Sequence, residues 1–333
     1  MNMKELPSLE PEDTGVNWGH LTSVEEYKEF LGLGHELFTR MLNPNTISTM
    51  NETVLGILRS FTREGLHGYL TNNPLATGTA LAGCDVNRMY PCVLRCGWFP
   101  ACTVFDQFVP TPEFKDSAEV RGYFDSVLQE HHLCLVFVET TETSAPPMCY
   151  VDRGMALCFK CNLVKFLARP CVHLIPSSAS PPTPGSESGA VHVRLMAYLP
   201  TQRVNHKAWS VVEKVWTSKT LDRSLRKKIL VKAIGKVGKS YNTPYPKASI
   251  FCNQDEARWW SETMKRSVTN IEDTVYLGFP GKEEKVDRLE GGKLIHLFIL
   301  DSYRMRLQEH HDRLQEKGVT PVYVRGDEFF FPV

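Results

Sequence analysis

The stretch from Pro176 to Gly189 constrains this chain most. It reads PSSASPPTPGSESG, with four prolines and no large apolar side chain. Such a segment can neither fill a core nor hold a helix, because proline removes backbone donors and nothing is left to bury. It marks residues 176–190 as a Pro/Ser-rich loop or linker between residues 1–175 and 191–333. Two readings stay open. Strand-like runs flank it closely, Cys171–Ile175 before and Val191–Leu199 after, so it is either a domain linker or an excursion within one sheet.

Charge changes across the same place. Residues 1–175 hold 13 Lys and Arg against 20 Asp and Glu, and residues 176–333 hold 25 against 18. The formal net charge of zero therefore divides into an acidic and a basic half. Nine of the ten cysteines fall between Cys84 and Cys171. The N-terminus is polar and acidic rather than basic-then-apolar, and runs such as Leu133–Val138 and Leu297–Leu300 are too short to span a bilayer. The expectation is a cytoplasmic or nuclear protein with no membrane partner, whose cysteines are thiols or metal ligands.

Hydrophobic periodicity points to an α+β fold of helices and mostly antiparallel strands, in one lobe or two. Ser23 followed by Glu26 is a capping box that opens a helix through Met41, and Asn51 caps a second through Phe61. Further helices are expected over Asp116–Glu130, Lys207–Thr217, Leu221–Ile234 and Lys293–Lys317. Strands are expected over Pro91–Phe99, Thr103–Phe108, Leu133–Glu139 and Thr274–Phe279. Two hairpins are expected, one turning at Asp152-Arg153-Gly154 and one across Arg325–Glu328. Arg325-Gly326-Asp327 is read as part of that turn.

The strongest functional pattern is Arg203–Lys247, with twelve basic residues against Glu213 and Asp222. Lysines and arginines neutralise phosphates with release of counterions, and aromatic faces stack unpaired bases. The candidate contacts are Arg203, Lys207, Trp209, Trp216, Arg223, Arg226, Lys227, Lys228, Lys232, Lys236 and Lys239. They point to a non-enzymatic polyanion-binding protein with RNA or DNA as partner. The bland alternative makes Trp209 and Trp216, seven apart, a buried stripe. A rival reading uses the opposed charges for self-association or a protein partner, as an assembly component.

Metal chemistry has two candidates. Cys158-x-x-Cys161 followed by Cys171-x-His173 offers thiolates and an imidazole for a structural zinc ion. Asp273, Glu283 and Lys285 have the residue types of a metal-dependent phosphoesterase or nuclease. A phosphate-binding loop is excluded at Gly235–Ser240, because the pattern requires glycine where Ala233 stands.

Overall fold

The computed structural model describes residues 23–42, 51–61, 67–70, 78–86, 89–102, 106–130, 133–140, 151–152, 154–179, 190–238, 249–264, 268–272, 275–278 and 292–333. In chain order its elements are α1 (Val24–Met41), α2 (Glu52–Phe61), β1 (His67–Tyr69), β2 (Leu81–Asp85), α3 (Met89–Val93), β3 (Trp98–Ala101), β4 (Val109–Pro110), α4 (Ser117–Glu130), β5 (Leu135–Thr140), β6 (Val151–Asp152), β7 (Met155–Phe159), α5 (Lys160–Leu167), β8 (Val172–Leu174), β9 (Val191–Leu199), β10 (Gln202–Asn205), α6 (Ala208–Thr217), α7 (Arg223–Val237), β11 (Ser249–Phe251), α8 (Gln254–Met264), β12 (Val268–Glu272), β13 (Val275–Gly278), α9 (Gly292–Glu316), β14 (Tyr323–Arg325) and β15 (Glu328–Pro332). The fold is α+β, and all strand pairs but one are antiparallel among the described residues.

Local chemistry sets the helix starts. Ser23 Oγ accepts from Glu26 N at 3.1 Å and opens α1, and Asn51 Oδ1 accepts from Thr53 N at 2.8 Å ahead of α2. Each satisfies a donor that the first turn leaves without an intrahelical partner. The strand expected over Pro91–Phe99 is instead α3 followed by a single 3-10 turn, Leu94–Cys96. Pro91 falls in the first turn, where its missing N–H costs nothing. Gly97, at φ 72°, then turns the chain into β3.

The centre of the molecule is α9. Its first turns, from Gly292 to Asp301, are buried on every side, as a helix threaded through a core must be. One face of the principal six-stranded sheet, ordered β4-β9-β5-β7-β6 with β8 beside β9, packs into that core. A second core on the other face of the sheet gathers Val120 and Phe124 of α4 with Phe166 of α5. Asp301 projects from α9 and is 1% exposed. Its carboxylate accepts from Phe159 N at 2.8 Å and from Asn162 Nδ2 at 2.7 Å, fastening the start of α5 to the central helix.

In three of the four sheets among the described residues, strands from before residue 176 pair with strands from after residue 190, and the fourth, β11-β13-β12, comes wholly from the later part. β9 lies between β5 and β4, β10 pairs with β3, β14 with β1, and β15 with β2. The segment itself connects β8 to β9, which run parallel and therefore need a long connection rather than a hairpin. Acidic and basic halves meet inside one molecule, at Lys214–Glu36 (2.9 Å) and Arg194–Glu139 (2.6 Å).

Candidate nucleic-acid interface

The basic segment folds as β10, α6 and α7, and its residues divide into two kinds. On α7 the Asp222 carboxylate accepts from Leu225 N at 2.7 Å. Leu225, Ile229, Leu230, Ala233, Ile234 and Val237 then face the core. Arg223 and Lys227 are exposed on the other side, and Lys228, Lys232 and Lys236 are half-buried at its margins. Arg203 and Lys207 are exposed as well, while Lys239 lies outside the described residues.

Arg226 is spoken for by the backbone. Its guanidinium donates to Leu221 O at 2.8 Å and to Trp216 O at 2.9 Å, closing the C-terminal end of α6 onto α7. The tryptophans are likewise engaged. Trp209 and Trp216 meet edge to face at 5.2 Å between ring centres and pack against the main core. Arg95 covers Trp209 at 4.7 Å, and Arg203 lies over Trp98 at 5.0 Å. Each of these cation–π pairs joins one residue of the segment to one from the stretch around β3.

A second group of residues beside α7 has no signature in the sequence. The smaller sheet, ordered β1-β14-β15-β2, turns one face inward, where Val324 and Phe329 pack on Tyr303 and Leu307 of α9. The opposite face carries two cross-strand rows. Register places Arg325, Glu328 and Asp85 in one row, and Tyr323, Phe330 and Gly83 in the next. None of these six is buried. Arg325 pairs with Glu328 at 2.9 Å and stands over the Phe330 ring at 5.3 Å, and Tyr323 lies 5.7 Å from Phe330. Gly83 leaves room for its neighbours to lie across the strand, because a Cβ there would fall 2.3 Å from Glu328 Oε1 and 3.3 Å from the Phe330 ring.

Asp327 sits at the end of the charged row. Gly326 takes φ 61° in the β14–β15 turn, and Val86 N donates to Asp327 O at 2.8 Å, holding the turn against the end of β2. The two aspartates are thereby made neighbours, each next in the chain to one member of a contact between the turn and β2. Burial, and after it the negative charge of Asp85, push the Asp327 carboxyl above its ordinary range, while Lys227 pulls the other way. Lys227 Nζ is 3.8 Å from Asp85 Oδ2, an exposed pair worth little by itself. One end of an open aromatic face thus holds two carboxylates from distant parts of the chain, overlooked by the exposed side of the basic helix.

No protein-family model matches the chain, and no curated protein matches it in sequence. Solved structures do. Phi29 DNA polymerase complexed with single-stranded DNA superposes with a TM-score of 0.51 at 12% identity, covering 92% of this chain and 50% of that one. The same polymerase complexed with primer-template DNA, a post-translocation binary complex, gives 0.51 at 12% identity, covering 93% and 49%. The fold is similar to part of phi29 DNA polymerase. This chain spans about half the length of the structures it matches.

The remaining candidates are placed as follows. Cys158 is buried in the second core, whereas Cys161 packs against the main core. Cys171 and His173 are exposed, at the start of and within the β8 segment. The structure does not gather these four, and among the described residues no group of three or more His, Cys, Asp or Glu is placed to hold a metal ion. Asp273, Glu283 and Lys285 lie outside the described residues. No helix among the described residues is long and apolar enough to cross a membrane.

Proposed function

We propose that this chain binds DNA across the open face of the β1-β14-β15-β2 sheet, and that Asp85 and Asp327 form a divalent-cation site for nucleotide transfer to a DNA end. The observation that carries the reading is the meeting of these carboxylates beside Lys227, at the edge of a face bearing Tyr323, Phe330 and Arg325. The solved structures of similar fold are of a DNA polymerase holding DNA, which favours DNA as the polyanion and phosphoryl transfer as the chemistry.

The residues suit a hard cation. Magnesium and manganese take oxygen donors, commonly one or two carboxylates, and leave further positions to water and phosphate. Two carboxyl groups held together repel each other when ionised, and this repulsion adds to burial in displacing Asp327 upward. A divalent ion there would remove that repulsion, neutralise phosphate charge and polarise the phosphoryl group toward attack.

The protein's own groups have separate tasks. Lys227 and Arg223 present positive charge to the phosphate backbone from the exposed side of α7. Tyr323 and Phe330 offer ring faces to bases, and Arg325 adds a planar cation that stacks or pairs with phosphate.

The test is extension of a labelled primer–template with deoxynucleoside triphosphates and magnesium or manganese, the primer 3′-oxygen bonding to the α-phosphorus as pyrophosphate leaves. The parent protein extends the primer, and the Asp327→Asn and Asp85→Asn variants lose extension by at least a hundredfold while still binding the DNA. Extension that survives both substitutions removes the carboxylates from the chemistry. A parent that binds DNA without extending it reduces the proposal to its binding half.

A further inference from the structure

We propose that His173 and His192 form a two-imidazole chelate for a divalent transition-metal ion of the nickel, zinc or copper class, at a site separate from the DNA face. The two residues are register partners on the parallel strands β8 and β9. Paired positions on neighbouring strands point to the same side of a sheet, with strand axes about 4.8 Å apart. Their ring centres are 5.8 Å apart and the ring planes are inclined by 38°.

That spacing fits shared coordination. Metal–nitrogen bonds of about 2.0–2.1 Å at tetrahedral angles set the centres of two imidazoles on one ion about 5 Å apart. The observed separation is within side-chain rotation of this value. Imidazole is the ligand these ions favour, and solvent supplies the remaining positions. Both rings are reachable, His173 being exposed and His192 half-buried.

The location gives the site a role. β8 and β9 are consecutive strands joined through residues 175–190, and their ladder covers only Val172–Leu174 on the β8 side. An ion held by one histidine from each strand clamps this short ladder, whatever the sequence between them does. This chelate uses His173 alone of the four residues in the cysteine-based zinc pattern, and it needs neither Cys158 nor Cys161.

Nickel titration of the full chain, followed by calorimetry, tests the assignment. Nickel takes imidazole ligands, and the cysteine variant separates binding at the histidines from binding at Cys158 and Cys161. The parent binds one ion at this site. His173→Gln and His192→Gln, which keep a polar side chain of similar length, each weaken that event at least tenfold, and Cys158→Ser with Cys161→Ser leaves it unchanged. Circular dichroism establishes that each variant is folded. Parental affinity in a folded His192→Gln protein overturns the proposal, as does loss of the event in the cysteine variant alone.

Discussion

Asp327, in the turn between β14 and β15, neighbours Asp85 at the end of β2, and burial, followed by the negative charge of Asp85, raises the proton affinity of Asp327. Like charges held together cost stability in their ionised forms. A carboxyl whose folded pKa is raised loses stability as pH climbs from its unfolded value to its folded one, and the loss is complete above both. Asp85→Asn therefore raises the melting midpoint at pH 7 by about 1–3 °C, and the gain disappears at a pH below the ordinary carboxylate range. Calorimetric melting of parent and variant across this window is the check. Divalent cation has the same effect on the parent and none on the variant.

Asp301 makes a second pH prediction. Burial pushes its carboxyl up to about 6, against the opposing effect of the bonds from Asn162 and Phe159. The native state thus keeps a proton that the unfolded chain releases, and this group's contribution falls as pH rises from about 4 to 6. Asp301→Asn removes that component of the pH dependence. Asp301→Ala strands the Phe159 N–H, leaves the Asn162 amide its 3.2 Å bond to Ser302 Oγ, and costs about 2–3 kcal/mol in urea unfolding at pH 7.

Arg226 and Lys227 are neighbours with opposite tasks. Arg226→Ala frees the carbonyls of Trp216 and Leu221 and lowers stability by about 1.5–3 kcal/mol, the range for hydrogen bonds to a charged group. Lys227→Gln leaves unfolding almost unchanged. It weakens binding to single-stranded DNA and lowers the salt-dependence slope by about one. Parallel denaturation and fluorescence anisotropy separate the two effects.

Phe330 tests the aromatic row. Phe330→Ala weakens binding to single-stranded DNA by about 1–3 kcal/mol, whereas Trp216→Ala acts mainly through stability, because that ring packs against the main core. A Trp216 variant with parental stability and lost DNA binding contradicts this division.

Much of the fold was legible because its signals are local. Ser23 with Glu26, Asn51, and the turn at Arg325–Glu328 each specify a structure within a few residues, and each forms as expected. Pro91 misled, since a proline within an apolar run suits a strand edge and a helix's first turn equally. The site was legible only in part. The positive charge of α7 shows in composition, but the use of Arg226 as a cap and the covering of Trp209 by Arg95 depend on contacts between elements. Asp85 and Asp327 carried no signal at all, for their meeting is made by the β15–β2 ladder, which joins parts of the chain far apart in sequence. The parallel pairing of β8 and β9, which sets His173 beside His192, was hidden for the same reason.

The central claim is that DNA and a divalent cation meet at Asp85 and Asp327. It is tested most directly by the affinity for primer–template DNA, measured by anisotropy with and without manganese, in the parent and in the Asp85→Asn/Asp327→Asn double variant. The account predicts that manganese strengthens binding by the parent at least tenfold and leaves the double variant unmoved. An equal response in both proteins would contradict it.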